Sequence, residues 1–150
     1  MHKKNFGYEF KVQGFLYVFL GEIIEKRLFS ENKNLKNLND RRLQQFKNVL
    51  MFVEENYFKH ISLSQLAGIA GMDKKYFCSF FQNIMGRTPI DYLNAYRIEC
   101  ACEQFFTTSF SIIDIAYNCG FHDASYFSKT FKKYKKITPR EFSKQKKYDL

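Results

Sequence analysis

Two sets of polar side chains recur at helical spacing: Lys74, Lys75, Cys78, Ser79 and Gln82, then His122, Ser125, Ser128, Lys129 and Lys132. Steps of three and four residues put each set on one face of a helix. Their shared chemistry is hydrogen bonding to nucleic-acid edges and backbones. Lysine donates to guanine O6 and N7, glutamine pairs with adenine, and serine serves either a base or a phosphate. Between them Phe77, Phe80, Phe81, Phe127 and Phe131 keep the same spacing. These read as core anchors rather than base-stacking platforms. Single positions stay open: Cys78 also fits a half-buried site, and His122 a turn residue that caps a helix. Lys132, Lys133, Lys135 and Lys136 read as phosphate ligands, which position a protein without reading sequence.

Enzyme chemistry finds no support. The chain has no phosphate loop, no metal-ligand cluster and no clear nucleophile–base arrangement. Cys78, Cys100, Cys102 and Cys119 form no C-x-x-C pair, and His2, His60 and His122 are scattered. No metal, cofactor or disulfide is expected, and free thiols in a reducing cytosol are the default. The net charge of +9 is unevenly placed: residues 1–36 carry +3, residues 37–121 cancel, and residues 122–150 carry +6. That basic end points to a polyanion, nucleic acid first. With 45% hydrophobic residues and 18 Phe the chain can bury a core. The apolar run Phe15–Leu20 is too short and interrupted to span a bilayer, so the chain is read as cytoplasmic.

The elements that must position these residues come as a repeat. Leu63-Ser-Gln-Leu66-Ala67-Gly-Ile-Ala-Gly71-Met72, Tyr76-Phe77, Phe81 and Thr88-Pro89 return as Ile112-Ile-Asp-Ile115-Ala116-Tyr-Asn-Cys-Gly120-Phe121, Tyr126-Phe127, Phe131 and Thr138-Pro139. The offset is 49 residues up to the glycine and 50 from the tyrosine onward. Each copy reads as a short helix, a glycine turn and a second helix, the arrangement of a helix-turn-helix reader. Ser62 with Gln65, Ser111 with Asp114, and Thr138 with Glu141 read as capping boxes, while Asp73 caps the helix running to about Met85. Thr88-Pro89 starts a joining helix to about Phe106, roughly 27 Å long at about 1.5 Å per residue. That is near the ~34 Å between successive major-groove faces. Upstream, a helix starting near Asn39 or Asp40 carries Leu43, Phe46, Leu50, Val53 and Tyr57 as its buried stripe. Residues 30–37 read as a linker, and residues 8–29 as an amphipathic helix. The expected fold is all-α. Residues 1–36 form the amphipathic helix and linker. Residues 37–150 hold a first reader at about 40–88, a joining helix at about 89–106 and a second reader at about 111–146.

The string Ile112-Ile-Asp-Ile-Ala-Tyr-Asn-Cys-Gly-Phe-His-Asp-Ala-Ser-Tyr-Phe-Ser-Lys-Thr-Phe-Lys-Lys-Tyr, followed by Thr138-Pro139-Arg-Glu-Phe142, closely resembles the hallmark of AraC/XylS-type transcription regulators. Gly86-Arg-Thr-Pro89-Ile-Asp-Tyr-Leu93, Arg97 and Ala101 match the same family's linking helix. The resemblance covers about 40–146. It implies a seven-helix module of two helix-turn-helix subdomains that binds promoter DNA and activates transcription by touching RNA polymerase. Carried over position by position, base contacts fall on Lys75, Cys78 and Ser79, and on Ser125, Ser128 and Lys129. Three departures stand out: Lys136 replaces the usual glycine before Thr-Pro, Ser143 replaces an arginine, and Cys78-Ser79 replaces longer polar or basic side chains. The second reader is therefore the safer source of affinity. Residues 8–29 look like the helix that follows the family's sensor barrel. Leu16, Phe19, Leu20 and Ile23 would then mediate homodimerisation, as the remnant of a sensor region without an effector pocket.

Two other function classes compete with a DNA-binding regulator. One is an interaction protein that pairs through the 8–29 helix and modulates full-length relatives. The other is a redox switch using Cys100, Cys102 or Cys119.

Overall fold

The computed structural model describes Gly14 and residues 33–145, with side chains from 41 to 144. Among the described residues there are seven α-helices and no strand: α1 (Lys33–Asn56), α2 (Leu63–Ile69), α3 (Lys74–Met85), α4 (Pro89–Thr107), α5 (Ile112–Asn118), α6 (Ala124–Lys135) and α7 (Pro139–Gln145). The expected all-α class is what the chain adopts. The amphipathic helix expected at 8–29, with Leu16, Phe19, Leu20 and Ile23, lies outside the described residues. One boundary is corrected. The helix expected from Asn39 or Asp40 already runs from Lys33, so part of the stretch read as a linker is helical. No proline or glycine interrupts 33–56. Asn and Asp inside a helix cost only about 0.7 kcal/mol each against alanine, too little to stop it.

The chain divides into two compact units. Of the described residues, the first takes those up to Glu55 together with Ser62–Pro89. Among the described side chains of α1, Phe46, Val49 and Val53 are buried, while Leu43 and Leu50 are only half-buried. The stripe read from the sequence thus misses Val49, and Tyr57 falls beyond the helix. Phe46 meets Phe81 at 5.4 Å and Phe80 at 6.1 Å between ring centres. Leu66, Ala67 and Ala70 are buried from α2 and the residue that ends it. The turn to α3 closes with Met72 N–H donating to Ala67 O at 3.0 Å and Gly71 N–H to Gly68 O at 3.0 Å. This is the paired closing pattern that a left-handed residue after a helix makes possible, and Gly71 has φ 62°.

The second unit takes Asn56–Ile61 and the described residues from Ile90 onward. Its turn repeats the first: Phe121 N–H donates to Ala116 O at 2.9 Å and Gly120 N–H to Tyr117 O at 2.9 Å. Ile98, Ala101, Cys102 and Phe105 of α4 are buried with Ile115, Ala116, Cys119, Phe121, Phe127, Phe131 and Phe142 in one cluster. Its aromatic rings form a chain, with Phe121–Phe127 at 5.1 Å, Phe127–Phe131 at 5.6 Å and Phe131–Phe142 at 5.3 Å. Edge-to-face and tilted pairs at these distances add about 0.5–1.5 kcal/mol each beyond the area they bury.

Candidate nucleic-acid interface

Each second helix of the repeat is aimed by its cap and its buried stripe. Asp73 holds the start of α3 by accepting from Tyr76 N–H at 3.0 Å, and Gly86 ends it at φ 67°. Phe77, Phe81 and Met85 bury one face. Lys74, Lys75, Ser79 and Gln82 are therefore exposed on the other, and Cys78 is half-buried. In α6 the cap is Asp123, which accepts from Tyr126 N–H, and Phe127, Thr130 and Phe131 form the buried face. Ser125, Ser128, Lys129 and Lys132 are exposed on the opposite side, with His122 exposed in the preceding turn. Within each unit the predicted residues thus share one accessible surface, apart from the half-withdrawn Cys78.

The lysine run after Phe131 sorts into different jobs. Lys132 remains exposed. Lys133 pairs with Asp91, whose backbone and carboxylate oxygens also accept from the Tyr134 hydroxyl at 3.0 and 2.7 Å. Lys135 is half-buried, and its Nζ lies 2.6 and 2.7 Å from the two carboxylate oxygens of Glu99. Lys133, still largely exposed, and the half-buried Lys135 bridge α6 to α4. Lys136 takes the left-handed position that ends α6, at φ 65°, where its counterpart is Gly86.

Cys102 and Cys119 are buried and Cys100 is half-buried. Burial pushes Cys100 up to about 11, and Cys102 and Cys119 up to about 12. A thiol is reactive as its thiolate, so these three are poor redox triggers. All four cysteines are free.

Two arrangements carry weight that the sequence reading did not assign. Arg97, buried on α4, donates from Nε to Tyr57 O at 2.7 Å and from a terminal nitrogen to Lys59 O at 2.7 Å. Its guanidinium also lies 5.7 Å from the Phe121 ring centre. The segment after α1 is thereby held against Gly120, where an added Cβ would sit 2.5 Å from Tyr57 O. Secondly, Asn94 donates from Nδ2 to the Tyr126 hydroxyl at 2.9 Å. The repeat marks Tyr126 as the match of Tyr76 but does not give its partner Asn94, 32 residues away. Arg97 gave no signal beyond its family match, since its partners are backbone carbonyls some forty residues away.

Residues 66–145 match the helix-turn-helix domain family, and that covers more than half of the chain. A transcriptional regulator from Chromobacterium violaceum, described as an AraC-type DNA-binding domain protein, has the same fold. It shows TM-score 0.64 and 27% identity over 69% of this chain and 93% of its own. The chain belongs to the AraC/XylS family. The HTH-type transcriptional activator RhaS of Mannheimia succiniciproducens is 36% identical over 93 residues, 62% of this chain. The match spans 35% of that activator's length. The Transposon Tn10 TetD protein of Escherichia coli is 31% identical over 104 residues, covering 69% of this chain and 75% of that protein. In AraC/XylS terms, α2–α3 and α5–α6 are the two helix-turn-helix pairs, and α4 is the linking helix.

Proposed function

We propose that the chain is a sequence-specific DNA-binding transcription regulator of the activator type, reading DNA through α3 and α6. The observation that supports this most directly is the repeated unit itself. Each has a glycine-closed turn and a capped second helix, with Lys and Ser opposite a phenylalanine face and Gln82 added in the first. A helix held in this way can enter the major groove, with its first turns against base edges. Lys75, Ser79, Ser125, Ser128 and Lys129 are the base readers, with Cys78 at the margin of the first set. Lys74, Gln82, His122 and Lys132 supply flanking contacts. Lys132, Arg140 and Lys144, exposed along α6 and α7, add affinity through phosphates.

As a family member, the chain acts in the cytoplasm, touches RNA polymerase and associates through its N-terminal segment; these extensions belong to the proposal. No described helix is long and apolar enough to cross a membrane.

Selection of bound duplexes from a random DNA pool tests the reading. A recovered motif of two short boxes about one helical turn apart is the expected result. No enrichment, with binding that collapses uniformly as salt rises, would leave only backbone contact and overturn sequence-specific regulation.

A further inference from the structure

Tyr126 is a large aromatic residue left 49% exposed on a recognition helix. Its phenolic oxygen is not loose: Asn94, only 8% exposed, donates to it at 2.9 Å. Phe121 lies against its ring at 6.0 Å between centres. A tyrosine hydroxyl is one donor and an acceptor. With Asn94 Nδ2 donating to the hydroxyl oxygen, the hydroxyl proton has no acceptor among the described residues, and it sits at the edge of the reading face. The matching Tyr76 rests on Phe80 at 6.2 Å, in a nearly parallel stack. Its hydroxyl has no such buried anchor.

Position on the helix says what the proton meets. Successive residues turn by about 100° around an α-helix. Ser125, Lys129 and Lys132 form the centre of the exposed face of α6, and Tyr126 stands about a quarter-turn to one side, with Lys133. A helix about 10–12 Å across nearly fills a major groove about 12 Å wide. The first turns of its central stripe meet bases, while the later turn that carries Lys132 and the flanks meet the sugar–phosphate walls. Lys133, the other donor on this flank, is already paired with Asp91. The flank therefore offers one fixed, uncharged donor to an anionic wall.

We infer that the Tyr126 hydroxyl donates a hydrogen bond to a single DNA backbone phosphate, and that Asn94 is a positioning residue that aims it. The inference rests on the proposed DNA reading and deepens it. The contact sets the register of α6 in the groove without reading a base. Because the ring and hydroxyl are held beforehand, little side-chain entropy is lost on binding.

The test uses the full chain and a duplex recovered by selection. Tyr126→Phe keeps the ring and removes the hydroxyl, and it should weaken binding about tenfold, the range of a hydrogen bond to a charged acceptor. Base preference should stay the same. The dependence of affinity on salt should also stay the same, since a neutral donor releases no counterion. Duplexes carrying one uncharged methylphosphonate at a time then locate the partner. One position should weaken the wild type yet add nothing in Tyr126→Phe. Asn94→Ala should weaken the wild type and have no further effect in Tyr126→Phe. A role confined to folding would shift thermal stability but would not abolish the response to one particular phosphate. Tyr126→Phe binding as tightly as wild type, showing altered base preference, or losing affinity additively at every methylphosphonate would each overturn the inference. In those cases the wild type still binds its selected duplex, so the DNA reading survives. A wild type that enriches no duplex overturns both.

Discussion

Lys136 is the non-glycine residue in the left-handed region among those described, at φ 65°. A side chain there costs roughly 1–2 kcal/mol, part of which glycine gives back as chain entropy in the unfolded state. Lys136→Gly should therefore stabilise the protein by about 1 kcal/mol in urea denaturation. A fall in stability would show that its Nζ bond to Lys133 O at 3.1 Å matters more than the strain. Gly120 is the opposite case, with φ 81° and no room for a Cβ. Gly120→Ala should cost about 3 kcal/mol, and an unfolding free energy from urea denaturation within about 0.5 kcal/mol of wild type, on the order of a neutral surface change, would refute the clash. The buried thiols predict a pH dependence with a definite sign. Their folded-state values of about 11 to about 12 lie above the ordinary 9.0. The unfolded chain gives up thiol protons first, so stability is full below pH 9 and is lost as pH rises toward 12. Tyr57, raised by burial, adds to the same trend. Urea midpoints measured across that range should fall, and less steeply in Cys102→Ala/Cys119→Ala.

At the scale of helices, capping decides where each reader begins. Ser111 and Asp114 form a reciprocal box, and so do Thr138 and Glu141. At Ser62 the bond from Gln65 N–H supplies the forward half, at 3.2 Å. The hydrogen bonds from Thr138 hold Glu141 below its ordinary value, so its contribution is present at neutral pH and lost in acid. Asp123→Ala removes the cap of α6 and should cost about 1 kcal/mol, with DNA affinity falling alongside because the first turn carries Ser125. Unchanged thermal stability would deny the cap its role. These caps were legible in the sequence because they are local, within three residues. The start of α1 was not, since nothing at Asn39 or Asp40 forbids continuation and weak propensities do not fix an end.

For the molecule as a DNA ligand, the sorting of lysines makes the sharpest prediction. Lys132→Ala should reduce the slope of log affinity against log salt by about 1, the loss of one phosphate contact. Lys135→Ala should change that slope much less and instead lower thermal stability, because Glu99 loses its half-buried partner. Equal slope changes would return Lys135 to the phosphate ligands. Nothing in the string Lys132-Lys-Tyr-Lys-Lys136 distinguishes these side chains. Asp91 and Glu99 are some forty residues away in the chain, and their pairings exist only once α4 and α6 are packed.

By itself the sequence determined the helical class, the twofold repeat, the caps and the faces of α3 and α6. These follow from periodicity and from contacts within a turn or two, which spacing alone encodes. Tertiary structure alone decided which lysines remain available, that Arg97 secures the Tyr57–Lys59 backbone, that burial pushes three thiols up, and that Asn94 fixes the Tyr126 hydroxyl. Each of those depends on a distant partner or on exclusion of water. The free energy of a charge, a donor or a thiol is set by what surrounds it, and only the packed chain supplies those surroundings.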